Sequence, residues 1–237
     1  MGEYMGYSLF TSICVNGIIK DTFKMKRPIG EEGIVTIREE TATGYSFPSG
    51  HSQTSSTFYS SAFFYTKSKI ALALGVIMTL LVGFSRLYLG VHYPKDVVCG
   101  IIFGVAVSYV CYKLFKRAEK SGSLSKLYLM TCLLMIVFLF FASSDDFLKA
   151  VALLTGFTVS VYIEKKFIQF STDISFGEKV IRWILGLVFV GGIMLVLNEA
   201  LPDTRTFDFI KYSTICFFGI AVYPYIFTKI ENYKRGK

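Results

Sequence analysis

The fold follows from residues 70–96, which read IALALGVIMTLLVGFSRLYLGVHYPKD. Residues 70–89 carry a single charged side chain, Arg86, and a run of about 20 apolar residues is what a helix needs to cross a bilayer. Similar apolar stretches, bounded by charged residues or by Pro, Gly, Ser or Asp, recur further along the chain. They are residues 97–115, 124–142, 147–163, 180–201 and 210–227. The pattern predicts an α-helical membrane protein.

Two further segments have a weaker helical signal. Residues 5–19 are apolar but short, and residues 52–66 are aromatic and rich in Ser and Thr. Small and hydroxylated side chains let helices pack closely inside a membrane bundle, although they face lipid poorly. We therefore expect an all-α, polytopic transmembrane helix bundle of about eight membrane helices.

The composition excludes several classes of protein. Of the 237 residues, 53% are hydrophobic and 18% charged, whereas a soluble domain has about 25% charged residues. Disordered chains, fibres and ordinary soluble enzymes fit poorly. The net charge of +8 is typical either of nucleic-acid binding or of the basic cytoplasmic rim of a membrane protein. The apolar blocks favour the second, so we predict the bilayer as a partner and no nucleic acid.

The distribution of basic residues predicts the orientation. If the helices alternate in direction, most Lys and Arg residues fall on one side, and most acidic residues fall on the other together with the long polar loop 30–47. The basic side of a membrane protein faces the cytoplasm. We therefore expect the 30–47 loop to face outward, from a membrane that is most simply the bacterial cell membrane.

Three short motifs gather ionisable residues at the ends of predicted membrane helices, where such residues usually serve a function. Under the alternating topology, all three motifs lie on the same face of the membrane and include both histidines of the chain. The motifs are Lys20-x6-Arg27-Pro28, then Pro48-Ser49-Gly50-His51, and then Ser85-Arg86-x5-His92-x3-Asp96.

The cations of these motifs suit a multiply charged oxyanion. Lys20, Arg27 and Arg86 would surround it, and the arginines offer bidentate hydrogen bonds. Ser49 and Gly50 directly precede a predicted helix, whose free N–H groups and dipole favour an anion. A phosphoryl group is the natural occupant, because its transfer is catalysed mainly by positioning and neutralisation of charge.

The histidines suit two different roles. A carboxylate at Asp96 can bind one ring nitrogen of His92 and leave the other nitrogen to attack phosphorus, which would give a phosphohistidine. His51 suits protonation of the leaving oxygen and later activation of water. No paired carboxylate cluster accompanies these motifs, so we predict neither a metal nor another cofactor.

The three motifs, in this order, resemble the type 2 phosphatidic acid phosphatase (PAP2) superfamily, which includes lipid phosphate phosphatases, undecaprenyl-diphosphate phosphatases and vanadium haloperoxidases. Every motif position matches. The resemblance implies His92 as the nucleophile, Asp96 as its orienting partner and His51 as the acid, with no metal required. It implies phosphate contacts from Lys20, Arg27, Ser49, Gly50, His51 and Arg86.

The resemblance covers about residues 5–115 and predicts two domains. Residues 1–116 would form a PAP2-like phosphatase core that lacks the first two helices of the family bundle. Residues 117–237 would form a four-helix transmembrane extension, for which the resemblance gives no role. Within it, we interpret Asp145 and Asp146 as a short polar turn between helices.

The predicted function is hydrolysis of a phosphomonoester or diphosphate on a membrane lipid at the outer face. Undecaprenyl diphosphate, phosphatidate and phosphatidylglycerophosphate all remain admissible substrates. One alternative is a non-catalytic lipid-phosphate-binding protein or transporter that keeps the anion pocket. Another is a haloperoxidase that holds vanadate there, which the membrane setting disfavours.

Overall fold

The structure, a computed structural model, describes residues 1–37, 39, 42–142 and 144–235. Those residues form helices and connecting loops, without strands. The prediction of an all-α chain with eight helical segments is confirmed, since α8, a π-helical turn and α9 run on as one segment. The helices are α1 (Gly2–Phe23), α2 (Gly50–Thr66), α3 (Lys69–Tyr88), α4 (Pro94–Lys120), α5 (Leu124–Phe138), α6 (Asp145–Ile163, continued by a π-helical turn Glu164–Ile168), α7 (Phe176–Ala200), α8 (Arg205–Phe217, followed by the π-helical turn Phe218–Val222) and α9 (Tyr223–Arg235).

Five helical stretches of the described chain are long and apolar enough to cross a membrane. They are Lys69–Tyr88, Pro94–Lys120, Asp145–Ile168, Phe176–Ala200 and Arg205–Tyr233. The helix α5 is apolar but has 15 residues, and α1 and α2 carry the weaker sequence signal noted above. The chain is therefore an integral membrane protein, in which α1, α2 and α5 are shorter or less apolar than the other helices.

The chain divides into two compact units, Met1–Ala150 and Val151–Lys237. The predicted boundary at residue 116 stays a prediction. In the first unit, α2 packs on α1, α3 and α4, and its buried face is polar. Hydrogen bonds satisfy that face: Ser12 Oγ and Thr57 Oγ1 lie 2.8 Å apart, and Asn16 Nδ2 donates to Gln53 Oε1 at 2.9 Å. A Ser/Thr-rich helix thus stays buried because its hydroxyls bond to neighbouring helices.

The second unit also pairs its buried charges. The guanidinium of Arg182 in α7 donates to the carbonyl of Ser171 at 2.9 Å and forms an ion pair with Glu231 of α9. Lys211 of α8 is buried and donates to Asp203 Oδ1 at 2.8 Å. Charges in membrane helices need such partners, which explains how this apolar unit tolerates them.

The loop between α1 and α2 folds back onto the α3–α4 connection. The N–H of Ile37 donates to the carbonyl of Leu89, and the hydroxyl of Tyr93 donates to Glu31. At Gly90, φ is +66°, and a Cβ there would lie 2.4 Å from the carbonyl oxygen of Val35. Glycine therefore suits both the backbone conformation and the close approach. This packing brings the three motifs together.

Candidate active site

A cavity of about 680 Å³ opens in the first unit where the three motifs meet. Six of the eight predicted site residues line it: Lys20, Arg27, Gly50, His51, Arg86 and His92. Asp96 and Ser49 lie behind this lining and are fully buried. The structure therefore assembles the predicted residues in one place, and their catalytic and phosphate-binding roles stay predictions.

His92 lies between an acidic and a basic neighbour. Its Nδ1 is 3.5 Å from Asp96 Oδ2 and 3.4 Å from Ser46 Oγ, while its Nε2 is 3.0 Å from Arg27 NH1. A guanidinium can only donate, so Nε2 must offer its lone pair and Nδ1 carries the proton. At 3.5 Å, the contact between Nδ1 and Asp96 is at the long limit for a hydrogen bond. This arrangement gives an unprotonated Nε2 at the cavity.

Asp96 is held by local structure at the start of α4. Pro94 is the first residue of that helix, a position that suits proline because the first N–H groups of a helix have no intrahelical partner. The Asp96 carboxylate caps the helix by accepting the N–H of Tyr93 at 2.9 Å, and Oδ2 also accepts the hydroxyl of Ser46 at 2.5 Å. Its backbone carbonyl accepts the N–H of Ser49 at 2.9 Å. Asp96 thus joins α4, the α1–α2 loop and α2.

Arg27 is fixed by carbonyl groups on two sides of the cavity. Its Nε and NH2 donate to the carbonyls of Gly44 and Thr43, at 3.1 and 2.6 Å, and NH1 donates to the carbonyl of Val91 at 3.0 Å. These bonds set the guanidinium in place before any anion arrives. Preorganised donors of this kind stabilise developing charge most effectively.

The helix α2 presents its N-terminus to the cavity. Ser49 caps it, because its Oγ accepts the N–H and the hydroxyl of Ser52 at 3.4 and 3.0 Å. The side chain of Ser49 is thus used inside the protein, whereas Gly50 and His51 line the cavity. A Cβ on Gly50 would lie 4.0 Å from Lys20 Nζ, so backbone and ammonium are close neighbours. The first N–H groups of a helix lack intrahelical partners and favour an anion.

Arg86 reaches the cavity from the last turn of α3. Its Nε donates to Ser85 Oγ at 3.2 Å, and Ser85 in turn donates to the carbonyl of Val82 at 2.7 Å. Ser85 therefore positions Arg86 and does not itself line the cavity. His51 is exposed on the cavity side, and the structure shows it no hydrogen-bond partner within the described chain.

Burial and charge shift the protonation of the His92 ring. Burial lowers the pKa of His92 below its usual value, the bond with Asp96 partly opposes this, and Arg27 lowers the pKa again. Burial also lowers the pKa of Arg27, while the carboxylates of Asp146 and Asp96 act against it. The surroundings of His92 therefore favour the neutral ring over the charged one.

Sequence reasoning missed several polar residues of the site, among them Ser46, Asn16 and Asp146. Ser46 lies in an irregular loop without periodicity, so no sequence signal marks its contact with Asp96. Asn16 and Asp146 line the cavity, from α1 and α6. The interpretation of Asp145 and Asp146 as a polar turn is wrong: both lie in the first turn of α6, and Asp146 Oδ2 is 3.9 Å from Lys20 Nζ.

Throughout the described part of the chain, no three His, Cys, Asp or Glu side chains group as metal ligands. The observation does not test metal independence, which remains a prediction.

Comparison with curated proteins identifies relatives that match about half of the chain. An undecaprenyl-diphosphatase of Sulfolobus acidocaldarius is 31% identical over 54% of this chain and 59% of its own length. A lipid A 1-phosphatase of Rhizobium etli is 30% identical over 52% of this chain and 59% of its own length. The undecaprenyl-diphosphatase BcrC of Bacillus subtilis is 30% identical over 46% of this chain and 55% of its own length. The chain thus spans less than two thirds of these relatives.

No solved structure matches the chain. Among protein families, residues 3–120 match the PAP2 superfamily, and residues 148–235 match the transmembrane extension of PAP2 superfamily phosphatases. The second match accounts for most of the C-terminal helices, which the motifs alone left unexplained. The two matches cover most of the sequence, and the chain belongs to the PAP2 superfamily.

Proposed function

We propose that this chain is a membrane-embedded phosphatase that hydrolyses a lipid phosphate or isoprenyl diphosphate through a phosphohistidine intermediate, without a metal, at the outer membrane face. The observation that supports it best is the setting of His92. Its Nδ1 faces Asp96, and its unprotonated Nε2 faces the cavity beside Arg27. An anion pocket that only binds would need the cations but not this oriented imidazole.

In the first step, the incoming phosphoryl group takes over the N–H that Arg27 NH1 gives to His92 Nε2. The freed lone pair of Nε2 attacks phosphorus, and the bond from phosphorus to the leaving oxygen breaks. His51, which lines the same cavity, gives its proton to that oxygen. Asp96 stabilises the positive charge that develops on the ring of His92. The products are the dephosphorylated head group and phospho-His92.

In the second step, water attacks phosphorus and the bond to Nε2 breaks. His51, now neutral, accepts the proton of the water, and His92 regains its lone pair as phosphate leaves. In both steps, Lys20, Arg27, Arg86 and the N-terminus of α2 would stabilise the charge on the phosphoryl oxygens.

A lipid substrate is supported by the shape and setting of the cavity. Besides the charged residues, the lining includes the apolar side chains of Leu9 and Ile13 of α1 and Phe58 of α2. A cavity that combines cations with apolar side chains suits a molecule with an anionic head and a hydrocarbon chain. The names of two relatives, an undecaprenyl-diphosphatase and a lipid A 1-phosphatase, agree with this substrate class.

The test is phosphate release from a panel of lipid phosphates by the full chain in detergent. Phosphatidate, phosphatidylglycerophosphate and an isoprenyl diphosphate are assayed with and without EDTA, using wild type and His92→Ala. We expect wild type to release phosphate in EDTA and His92→Ala to lose at least about 10³-fold in rate.

Three results would count against the proposal. Equal release by both proteins would exclude His92 as the nucleophile. Loss of activity in EDTA would exclude the metal-free mechanism. Binding of lipid phosphates by wild type without any release would favour the non-catalytic binding protein.

A further inference from the structure

Asp146 is the acidic side chain in the cavity lining, as far as the structure describes the chain. Its Oδ2 lies 3.9 Å from the ammonium of Lys20, which is 9% exposed, whereas the Asp146 side chain is 45% exposed. A carboxylate thus faces the cations to which we assign phosphate binding. Asp146 lies outside the residues matched to the PAP2 core and to its extension.

The position of Asp146 is set by its neighbours in the chain. The backbone N–H of Ser144 donates to Asp21 Oδ2 of α1 at 3.0 Å. Phe147 is fully buried, and a Cβ on Gly17 would come within 2.8 Å of the Phe147 Cβ. The start of α6 is therefore anchored to α1 on both sides of Asp146. The two anchor points on α1, Gly17 and Asp21, flank Lys20, so the carboxylate is held beside the ammonium.

Asp146 changes the charge that an incoming anion meets. Three cations line the cavity, Lys20, Arg27 and Arg86, and Asp146 opposes them with one negative charge. A phosphate group carries about 1.5 to 2 negative charges near pH 7, and a diphosphate carries more. A fixed carboxylate competes for Lys20 and repels either group, and it repels the more highly charged one more strongly.

We propose that Asp146 is a specificity-determining residue that lowers the affinity of this site for phosphate. It lowers the affinity for a diphosphate by a larger factor. This inference rests on the proposed function, since it concerns the same phosphate site. Its consequence is easier release of product phosphate. Tight binding that is equal in ground and transition states does not raise the rate of the chemical step.

The test measures equilibrium binding of inorganic phosphate and of pyrophosphate to the full chain in detergent. The variants are Asp146→Asn and Asp146→Ser, which remove the charge, and Asp146→Glu, which keeps it. Asp145→Asn is the matched control, because it removes the same charge one residue away from the cavity lining. Thermal unfolding of each variant shows that it is folded.

Both neutral variants should bind phosphate about fivefold more tightly than wild type, the change expected for about 1 kcal/mol of lost charge repulsion. Pyrophosphate binding should tighten by a larger factor. Asp146→Glu and Asp145→Asn should stay within about twofold of wild type.

Unchanged or weaker phosphate binding in folded Asp146→Asn and Asp146→Ser would overturn the inference, and so would an equal change in Asp145→Asn. If wild type bound neither ion, this inference and the proposed phosphate site would both fail. If binding shifted as expected but no lipid phosphate were hydrolysed, Asp146 would keep this role and the proposed function alone would fail.

Discussion

At the scale of single residues, the candidate site depends on the direction of the hydrogen bonds around His92. Arg27 can only donate, and the carboxylate of Asp96 already accepts from Ser46 and Tyr93. These partners fix the ring with a lone pair at Nε2. The motifs predicted His92 and Asp96, because a carboxylate four residues after a histidine can reach back to one of its ring nitrogens. Ser46 could not be predicted, since its role arises from the fold of a long loop.

Ser46→Ala should lower kcat about 10- to 100-fold with little change in KM. The substitution removes a hydrogen bond to a charged group, and Asp96 would then hold the His92 ring less firmly. Steady-state kinetics on the best lipid substrate measure the effect. Ser60→Ala is the matched control, because Ser60 Oγ donates to the carbonyl of Ser56 within its own helix. A raised KM with unchanged kcat would contradict a positioning role for Ser46.

Asp96→Asn should move the acidic limb of the pH profile to lower pH. In wild type, burial holds the pKa of His92 below its usual value and Asp96 raises it partway back. Removing the carboxylate lowers this pKa further, so His92 stays unprotonated to lower pH. The variant should also lose about 10²- to 10⁴-fold in kcat, measured across pH 4–8. A limb that moved to higher pH would show that another group controls it.

At the scale of helices, the contact of α2 with α4 brings His51 close to Asp96 and His92. Two glycines of α4 permit it: a Cβ on Gly100 would lie 2.7 Å from the carbonyl oxygen of Ser49, and one on Gly104 only 1.9 Å from Ser56 Oγ. The sequence predicted both helices but not this contact. A glycine permits close packing only against a particular neighbour, and the sequence does not show which residue faces it. The sequence analysis also placed this helix at residues 97–115, whereas α4 runs from Pro94 to Lys120. Apolar composition marks the part of a helix that lies in the membrane, and it does not detect the polar cap at Asp96.

Gly104→Ala should destabilise the protein. The added methyl group would clash with Ser56 Oγ and with the backbone carbonyl of Gln53, and overpacking of this kind costs about 1–3 kcal/mol. We expect the thermal midpoint in detergent to fall by at least about 3 °C. Gly192→Ala in α7 is the control, because a Cβ there meets nothing within 4 Å. It should leave the midpoint unchanged or raise it, and an equal fall in both variants would contradict this account.

At the scale of the whole molecule, composition and apolar length predicted the number and type of helices. The described residues form eight helical segments, and five of them are long and apolar enough to cross a membrane, a length that can be read directly from the sequence. The two compact units, Met1–Ala150 and Val151–Lys237, could not be predicted. Their boundary lies inside α6. A boundary within a helix is set by which residues pack together, and the hydrophobic pattern of the sequence does not show it.

The proposed orientation predicts which loops face outward. Glu32→Cys, in the exposed α1–α2 loop, should react with a membrane-impermeant thiol reagent in intact cells. Lys120→Cys, at the opposite end of α4, should react only after permeabilisation, because basic loops stay in the cytoplasm. The wild-type chain, with its five native cysteines, gives the background. The reverse pattern would place the site on the cytoplasmic side.

The central claim is that His92 carries the phosphoryl group during hydrolysis. The most direct measurement is rapid quenching of the full chain during turnover of a lipid phosphate, under alkaline conditions that preserve phosphohistidine, followed by mass spectrometry of its peptides. We predict a phosphoryl group on the peptide that contains His92, and none in His92→Ala. Turnover with the phosphoryl group on another residue, or continued release of phosphate by His92→Ala, would contradict the account.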